Sequence, residues 1–121
     1  MPSRSLNVAV WVASGLLAAL YLFACVPKLT GAQAAIDAFT KYGHSDGFRV
    51  FIGSCELLGA IALLIPRLAF WSACGLFIIM LGAAHAHLTH DEASHLPVVV
   101  VALGLLAFVI SQRRRQALLL S

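Results

Sequence analysis

Four long apolar runs carry a single formally charged side chain between them, and this decides what the chain can fold into. The runs are Val8–Val26, Val50–Ile65, Leu68–Leu88 and Leu96–Ile110, and the lone charge is Glu56. A helix needs about 20 residues to cross the hydrocarbon of a bilayer, with roughly 17–25 tolerated. The second and fourth runs are short by that measure. The flanking Arg49 and Arg113-Arg114-Arg115 can snorkel to the interface and lengthen the effective span. Only 11% of the chain is charged, against roughly 25% in soluble domains, so a soluble core of this size cannot hide its apolar surface. The sequence predicts an all-α polytopic membrane protein with one domain. Four transmembrane helices over 8–26, 48–65, 68–88 and 96–111 form a bundle, with a short amphipathic helix between the first and second.

The net charge of +3 does not point to nucleic acid. The arginine triplet directly follows an apolar run, which is the pattern of a cytoplasmic stop and suits anionic lipid headgroups. With four spans, Arg4, Arg67 and the triplet share one face of the membrane. Lys28, Lys41 and Arg49 share the other with Asp37, Asp46, Asp91 and Glu92. The excess of basic residues on the first face predicts that both termini are inside. Glu56, Lys28 and the histidines at the end of the third run then gather at the outer leaflet. Leu22-Phe23-Ala24-Cys25 resembles a lipoprotein cleavage box, but its apolar run exceeds the roughly 7–15 residues of a signal core. The first run is therefore expected to remain a span.

Between the first two spans, Thr30-Gly-Ala-Gln33 fits a capping box with Thr30 as N-cap. Ile36, Phe39 and Tyr42 form an apolar stripe, Asp37 stands four residues before Lys41, and Gly43 is a natural stop. An interfacial helix over 31–43 follows.

Glu56 is the first candidate for function. A carboxylate at membrane depth costs roughly 2.5–3.5 kcal/mol even on insertion scales, so it needs a partner, a proton or a task. Arg49 precedes it by seven residues, about 10 Å along a helix, and Lys28 ends the first run at the same level. Gly53 and Gly59-Ala60 flank Glu56, and Gly75 and Gly82 line up with His85. Small residues allow close helix approach in lipid, so these stripes place the second and third spans inside the bundle, with Glu56 facing His85. His85, His87, His90 and His95 make the following loop histidine-rich. His85 and His87 point about 200° apart on a helix, so they do not chelate one ion together. The expectation is interfacial histidines, with His85 or His87 contributing to a pocket beside Glu56, and no metal or haem site. Cys25, Cys55 and Cys74 form no Cys-x-x-Cys pair and read as apolar fillers.

Together, Lys28-Leu-x-Gly31, Phe39, Tyr42-Gly43, Arg49-x-Phe-Ile-Gly53-x-x-Glu56-Leu-Leu-Gly59, Leu63-Leu-x-Pro66-Arg67, Met80-x-Gly82-Ala83 and His87-Leu88 resemble the DoxX and DoxX-like family. The resemblance covers the chain from Leu16 to Val109. It implies a small four-helix protein of the bacterial-type inner membrane, with some members linked to quinone-coupled sulfur oxidation or to thiol-handling membrane complexes. Its polar pattern falls on Lys28, Arg49, Glu56 and Arg67. Cys25, Cys55 and the dense histidines depart from it. The resulting expectation is a subunit of a quinone- or thiol-linked redox complex. Glu56 would accept or relay a proton, Lys28 and Arg49 would balance it, and His85 or His87 would bind a cofactor, a quinone headgroup. Its partners would be the lipid bilayer and other membrane or redox subunits, or further copies of itself. The alternatives are a non-catalytic scaffold subunit and a small oligomeric transporter.

Overall fold

The computed structural model describes residues 4–89 and 96–120, with side chains as far as Arg114. The described residues form five helices: α1 (Arg4–Thr30), α2 (Gln33–Lys41), α3 (Asp46–Leu63), α4 (Pro66–Thr89) and α5 (Leu96–Leu120). The fold is all-α. Helix α1 packs along α3, α3 on α4, α4 on α5, and α5 returns to α1, while among the described helices α2 packs on α1 and α3.

Leu17 and Tyr21 of α1 meet Ala60 and Leu63 of α3, Ala73 and Leu76 of α4, and Ala102, Leu106 and Val109 of α5 in one core. Outside it, Phe23, Phe51, Leu58, Ile78 and Val100 are exposed. An apolar exterior on this scale is a liability in water and the normal state in lipid. Three helices are long and apolar enough to cross a membrane among the described residues: α1, α4, and α5 over Leu96–Arg114. The second expected span falls on α3, whose 18 residues include Asp46, Arg49 and Glu56, and by length and composition it is not among the three.

The helix ends depart from expectation in three places. Thr30 is not an N-cap. Helix α1 runs through Pro27 to Thr30, whose Oγ1 donates back to the Val26 carbonyl at 2.7 Å. Gly31 then turns the chain at φ 74°, and the Ala32 amide returns to the Pro27 carbonyl, so the break is a glycine C-terminus of α1 instead of a side-chain cap on α2. Helix α2 starts after Ala32 with no side-chain cap, and Gln33 donates to Asp37 instead of closing a capping box. The expected stop at Gly43 holds, with φ 81° and paired bonds from Gly43 to Thr40 and from His44 to Phe39.

Helix α5 does not end at 111. No glycine or proline follows Ile110, and the helix continues through the arginines to Leu120. Within the bundle Arg113 is only 6% exposed and lies over the Trp11 ring at 5.0 Å. The Gly75–Gly82–His85 stripe is exposed, so it does not bury the third span as expected. Helix α4 buries Ala69, Ala73 and Leu76 instead. Its contact with α3 is made at Gly59. A Cβ there would lie 2.8 Å from Leu76 Cδ2, and Ser72 Oγ donates to the Gly59 carbonyl at 2.6 Å. Pro66 begins α4 where its missing N–H costs nothing.

Candidate functional site

The end of α1 and the first half of α3 build a charged cluster at the α2 end of the bundle. Ser45 starts α3, its side chain accepting from the Phe48 amide at 3.2 Å. This sets the helical phase that turns Arg49, Gly53, Glu56, Ala60 and Leu63 inward. Glu56 is 5% exposed. Its Oε1 lies 2.8 Å from Lys28 Nζ, which also donates to the Ala24 carbonyl at 3.2 Å. The Lys28 side chain keeps 20% exposure, so the pair is buried on its acidic side and reachable on its basic side.

Gly53 makes this proximity possible. A Cβ there would sit 3.0 Å from Lys28 Cβ and 3.1 Å from Leu29 Cδ2. The helices therefore touch through the lysine stem, and Nζ arrives one turn further along α3, at Glu56.

Arg49 does not balance Glu56 directly. One guanidinium nitrogen donates to the Lys28 backbone carbonyl, and its Nε faces Asp46 at 3.7 Å. It thereby meets a carbonyl at the C-terminus of α1, the helix end that favours a cation. Arg67 lies at the opposite end of α3, exposed beside the α3–α4 turn, and does not join the cluster.

His85 and His87 do not close on Glu56. His85 is exposed, and neither it nor His87 is among the partners of Glu56. His87 turns to the end of α2, its ring 6.4 Å from that of Tyr42 in an edge-on contact. Among the described residues no three His, Cys, Asp or Glu side chains are placed to hold a metal ion. His90, Asp91, Glu92 and His95 lie outside the described residues.

Sequence reasoning overlooked Tyr21. It is fully buried and makes a long 3.5 Å hydrogen bond to the Leu76 carbonyl. It stands seven residues before Lys28 and so shares its face of α1, as does the buried Cys25 between them, whose thiol donates to the Leu22 carbonyl at 3.2 Å. Two helical turns of spacing from Lys28 was the available signal.

Apolar helices around a buried ion pair define a helical membrane protein. The chain belongs to the DoxX-like family, whose family model matches residues 12–109. That match takes in the whole charged cluster. No curated protein and no solved structure matches the chain.

Proposed function

We propose that the protein is a four-span subunit of a membrane redox complex, and that the Lys28–Glu56 pair is its working site, receiving a quinone-type headgroup from the bilayer. The observation that carries this reading is the pair itself. It is half accessible, held in place by Gly53 and Arg49, and set inside a helix bundle where unpaired charge is costly. Lys28 offers an N–H to a quinone oxygen, and Glu56 offers an acceptor for a quinol proton. Arg49 positions Lys28 through its backbone carbonyl.

In this reading α3 is the fourth span, both termini are cytoplasmic, and the cluster lies in the outer half of a bacterial-type inner membrane. Helix α2 lies at the outer interface. Asp46 and Arg49 sit in the first turn of α3, at that interface, so only Glu56 enters the hydrocarbon, and it does so paired. Other membrane or redox subunits, or further copies of this chain, supply the electron acceptor.

Titration of the purified protein with a short-chain quinone and its quinol tests the reading. Saturable binding at one site per chain, lost in Glu56→Gln and Lys28→Met, is the expected result. Equal binding by all three proteins refutes it. A scaffold role is the second reading, favoured by the close α1–α3 contact at Gly53, which the ion pair reinforces. No quinone binding, together with stoichiometric partner subunits after purification, establishes that role instead.

A further inference from the structure

We propose that the end of the bundle opposite the Lys28–Glu56 pair is a recognition surface for anionic phospholipid, an arginine rim that binds lipid phosphates above two interfacial tryptophans. This surface is independent of the redox reading given above.

The fold assembles this end from three helices. Gly53 and Glu56 meet Lys28, so α3 runs antiparallel to α1, and the α3–α4 turn returns to the level where α1 begins. Arg4 of α1 and Arg67 of α4 therefore share one end. Arg113 joins them, its guanidinium 5.0 Å from the Trp11 ring, and Arg114 follows it on α5. Arg4, Arg67 and Arg114 are exposed.

Three contrasts between the two ends identify the partner. The first is charge. Helices α1, α4 and α5 contain no acidic residue. Along α3, Glu56 stops seven residues, about 10 Å, short of Leu63 and is held by Lys28. Among the described residues no acid at this end answers Arg4, Arg67 and Arg114, whereas at the other end Lys28 meets Glu56 and Arg49 faces Asp46. The second contrast is the kind of cation. Both lysines of the chain, Lys28 and Lys41, belong to the other end, and here Arg4, Arg67, Arg113 and Arg114 all carry guanidinium groups. A guanidinium fork matches two oxygens of a phosphate, which an ammonium point charge does not. The third is the tryptophans, both of which lie here and are exposed. Trp71 stands four residues after Arg67 and Trp11 seven after Arg4, so each indole shares a helix face with an arginine, about 6 and 10 Å deeper. The headgroup zone beside the hydrocarbon is roughly 5–8 Å thick, and indoles settle at its boundary. Tryptophans at that depth set the arginines among the phosphates. Leu6, Val8 and Leu68 are exposed beside the rim, so it borders a surface made for lipid chains, and the phosphate that fits it is carried by an amphiphile. In the proposed topology this end faces the inner leaflet, which holds the anionic lipids.

The two tryptophans supply the probe, since both lie at this end. The protein is placed in mixed vesicles of phosphatidylcholine and phosphatidylglycerol, with one lipid or the other brominated on its acyl chains. Quenching of Trp11 and Trp71 then reports which lipid lies beside them. Phosphatidylglycerol should be enriched there roughly five-fold or more over its share of the bilayer, the contribution of even one arginine near an anionic surface. The triple variant Arg4→Gln/Arg67→Gln/Arg114→Gln should bring the enrichment close to one. Arg4→Lys/Arg67→Lys/Arg114→Lys should recover only part of it. Unchanged helix content and unchanged quenching in brominated phosphatidylcholine alone show that the variants remain inserted. Inorganic phosphate, added at matched ionic strength, should leave the wild-type enrichment as it was. Equal quenching by the two lipids in wild type overturns the proposal, as does full enrichment in the glutamine variant. Full recovery in the lysine variant overturns recognition by the guanidinium fork and leaves only diffuse attraction. Loss of enrichment with inorganic phosphate overturns lipid as the occupant. These readouts need no quinone, so a failure of the redox reading leaves them unaffected.

Discussion

Removing one partner of the Lys28–Glu56 pair should damage the fold far more than removing both. At 2.8 Å and an effective dielectric constant near 20, the attraction between the two charges is about 6 kcal/mol. Desolvation of two ions offsets most or all of this, so a buried pair contributes little relative to two apolar side chains. Breaking the pair is different. In Lys28→Met the Glu56 carboxylate stays 5% exposed in the bundle with no cation against it. Its cheapest escape is to take up a proton. For a carboxyl of ordinary acidity this costs about 1.4 kcal/mol per pH unit above roughly pH 4.3, hence about 3.7 kcal/mol at pH 7. That figure falls within the roughly 3–5 kcal/mol typical of broken buried pairs. Lys28 retains some exposure, so water entering the vacated space brings the expected loss to about 2–3.5 kcal/mol. The double variant Lys28→Met/Glu56→Gln should recover to within about 1 kcal/mol of wild type. Reversible unfolding in mixed detergent micelles, followed by circular dichroism, measures all three proteins. The loss in Lys28→Met should shrink on acidification toward pH 5, where protonation is cheaper. A Lys28→Met protein as stable as wild type refutes the reasoning, as does a double variant as unstable as the single one.

Gly53→Val should cost about 1–3 kcal/mol by forcing α1 and α3 apart at Lys28 and Leu29, measurable in the same micelle assay. Arg49→Met should cost about 1.5–3 kcal/mol by freeing the Lys28 carbonyl, and Arg49→Lys should recover only part of it because a lysine lacks the guanidinium fork. Arg113→Gln should remove about 0.5–2 kcal/mol and alter the fluorescence of Trp11, read in a Trp71→Phe background. A reporter fused after Ser121 should be active only inside the cell, and one inserted between Gly43 and His44 only outside; the reverse pattern overturns the proposed topology.

The helices were legible because their signals were redundant. Long apolar runs, Pro66 at the α3–α4 turn and Gly43 at the end of α2 each reported one physical constraint in one place. The inward phase of α3 was legible for the same reason, since Gly53, Glu56 and Ala60 share one side. Signals that depend on a neighbour misled. Gly75 and Gly82 mark a face of α4 where helices can approach, but α5 and α3 pack elsewhere on it, against Ala69, Ala73 and Leu76. Thr30 and Gln33 have the spacing of a capping box, yet α1 had not finished at Thr30, and a hydroxyl inside a helix bonds its own preceding turn. Arg49 stands at a suitable distance from Glu56 along one helix, but a carbonyl at the end of α1 takes its guanidinium instead. Which partner a long side chain chooses is set by the packing of the other helix, and no spacing within α3 records it.

The charge content that separates α3 from the other long helices therefore has a structural account. Asp46 is exposed at the first turn and lies near Arg49, Arg49 holds the end of α1, and Glu56 meets Lys28 from α1. Each charge on α3 finds an opposite charge or a helix-end carbonyl, and two of the three do so on α1. Alone, α3 would carry a bare carboxylate into the hydrocarbon. Docked on α1, it does not. The proposed fourth span is thus a conditional one, stable across the membrane only as part of the α1–α3 unit. Insertion of α3 should then depend on Lys28. A topology reporter placed in the α3–α4 turn should show the turn at the inner face in wild type and in Lys28→Met/Glu56→Gln. In Lys28→Met alone a larger share of chains should leave the turn outside. Equal placement in all three would mean that α3 inserts by its own hydropathy, and that its pairing with α1 follows insertion instead of enabling it.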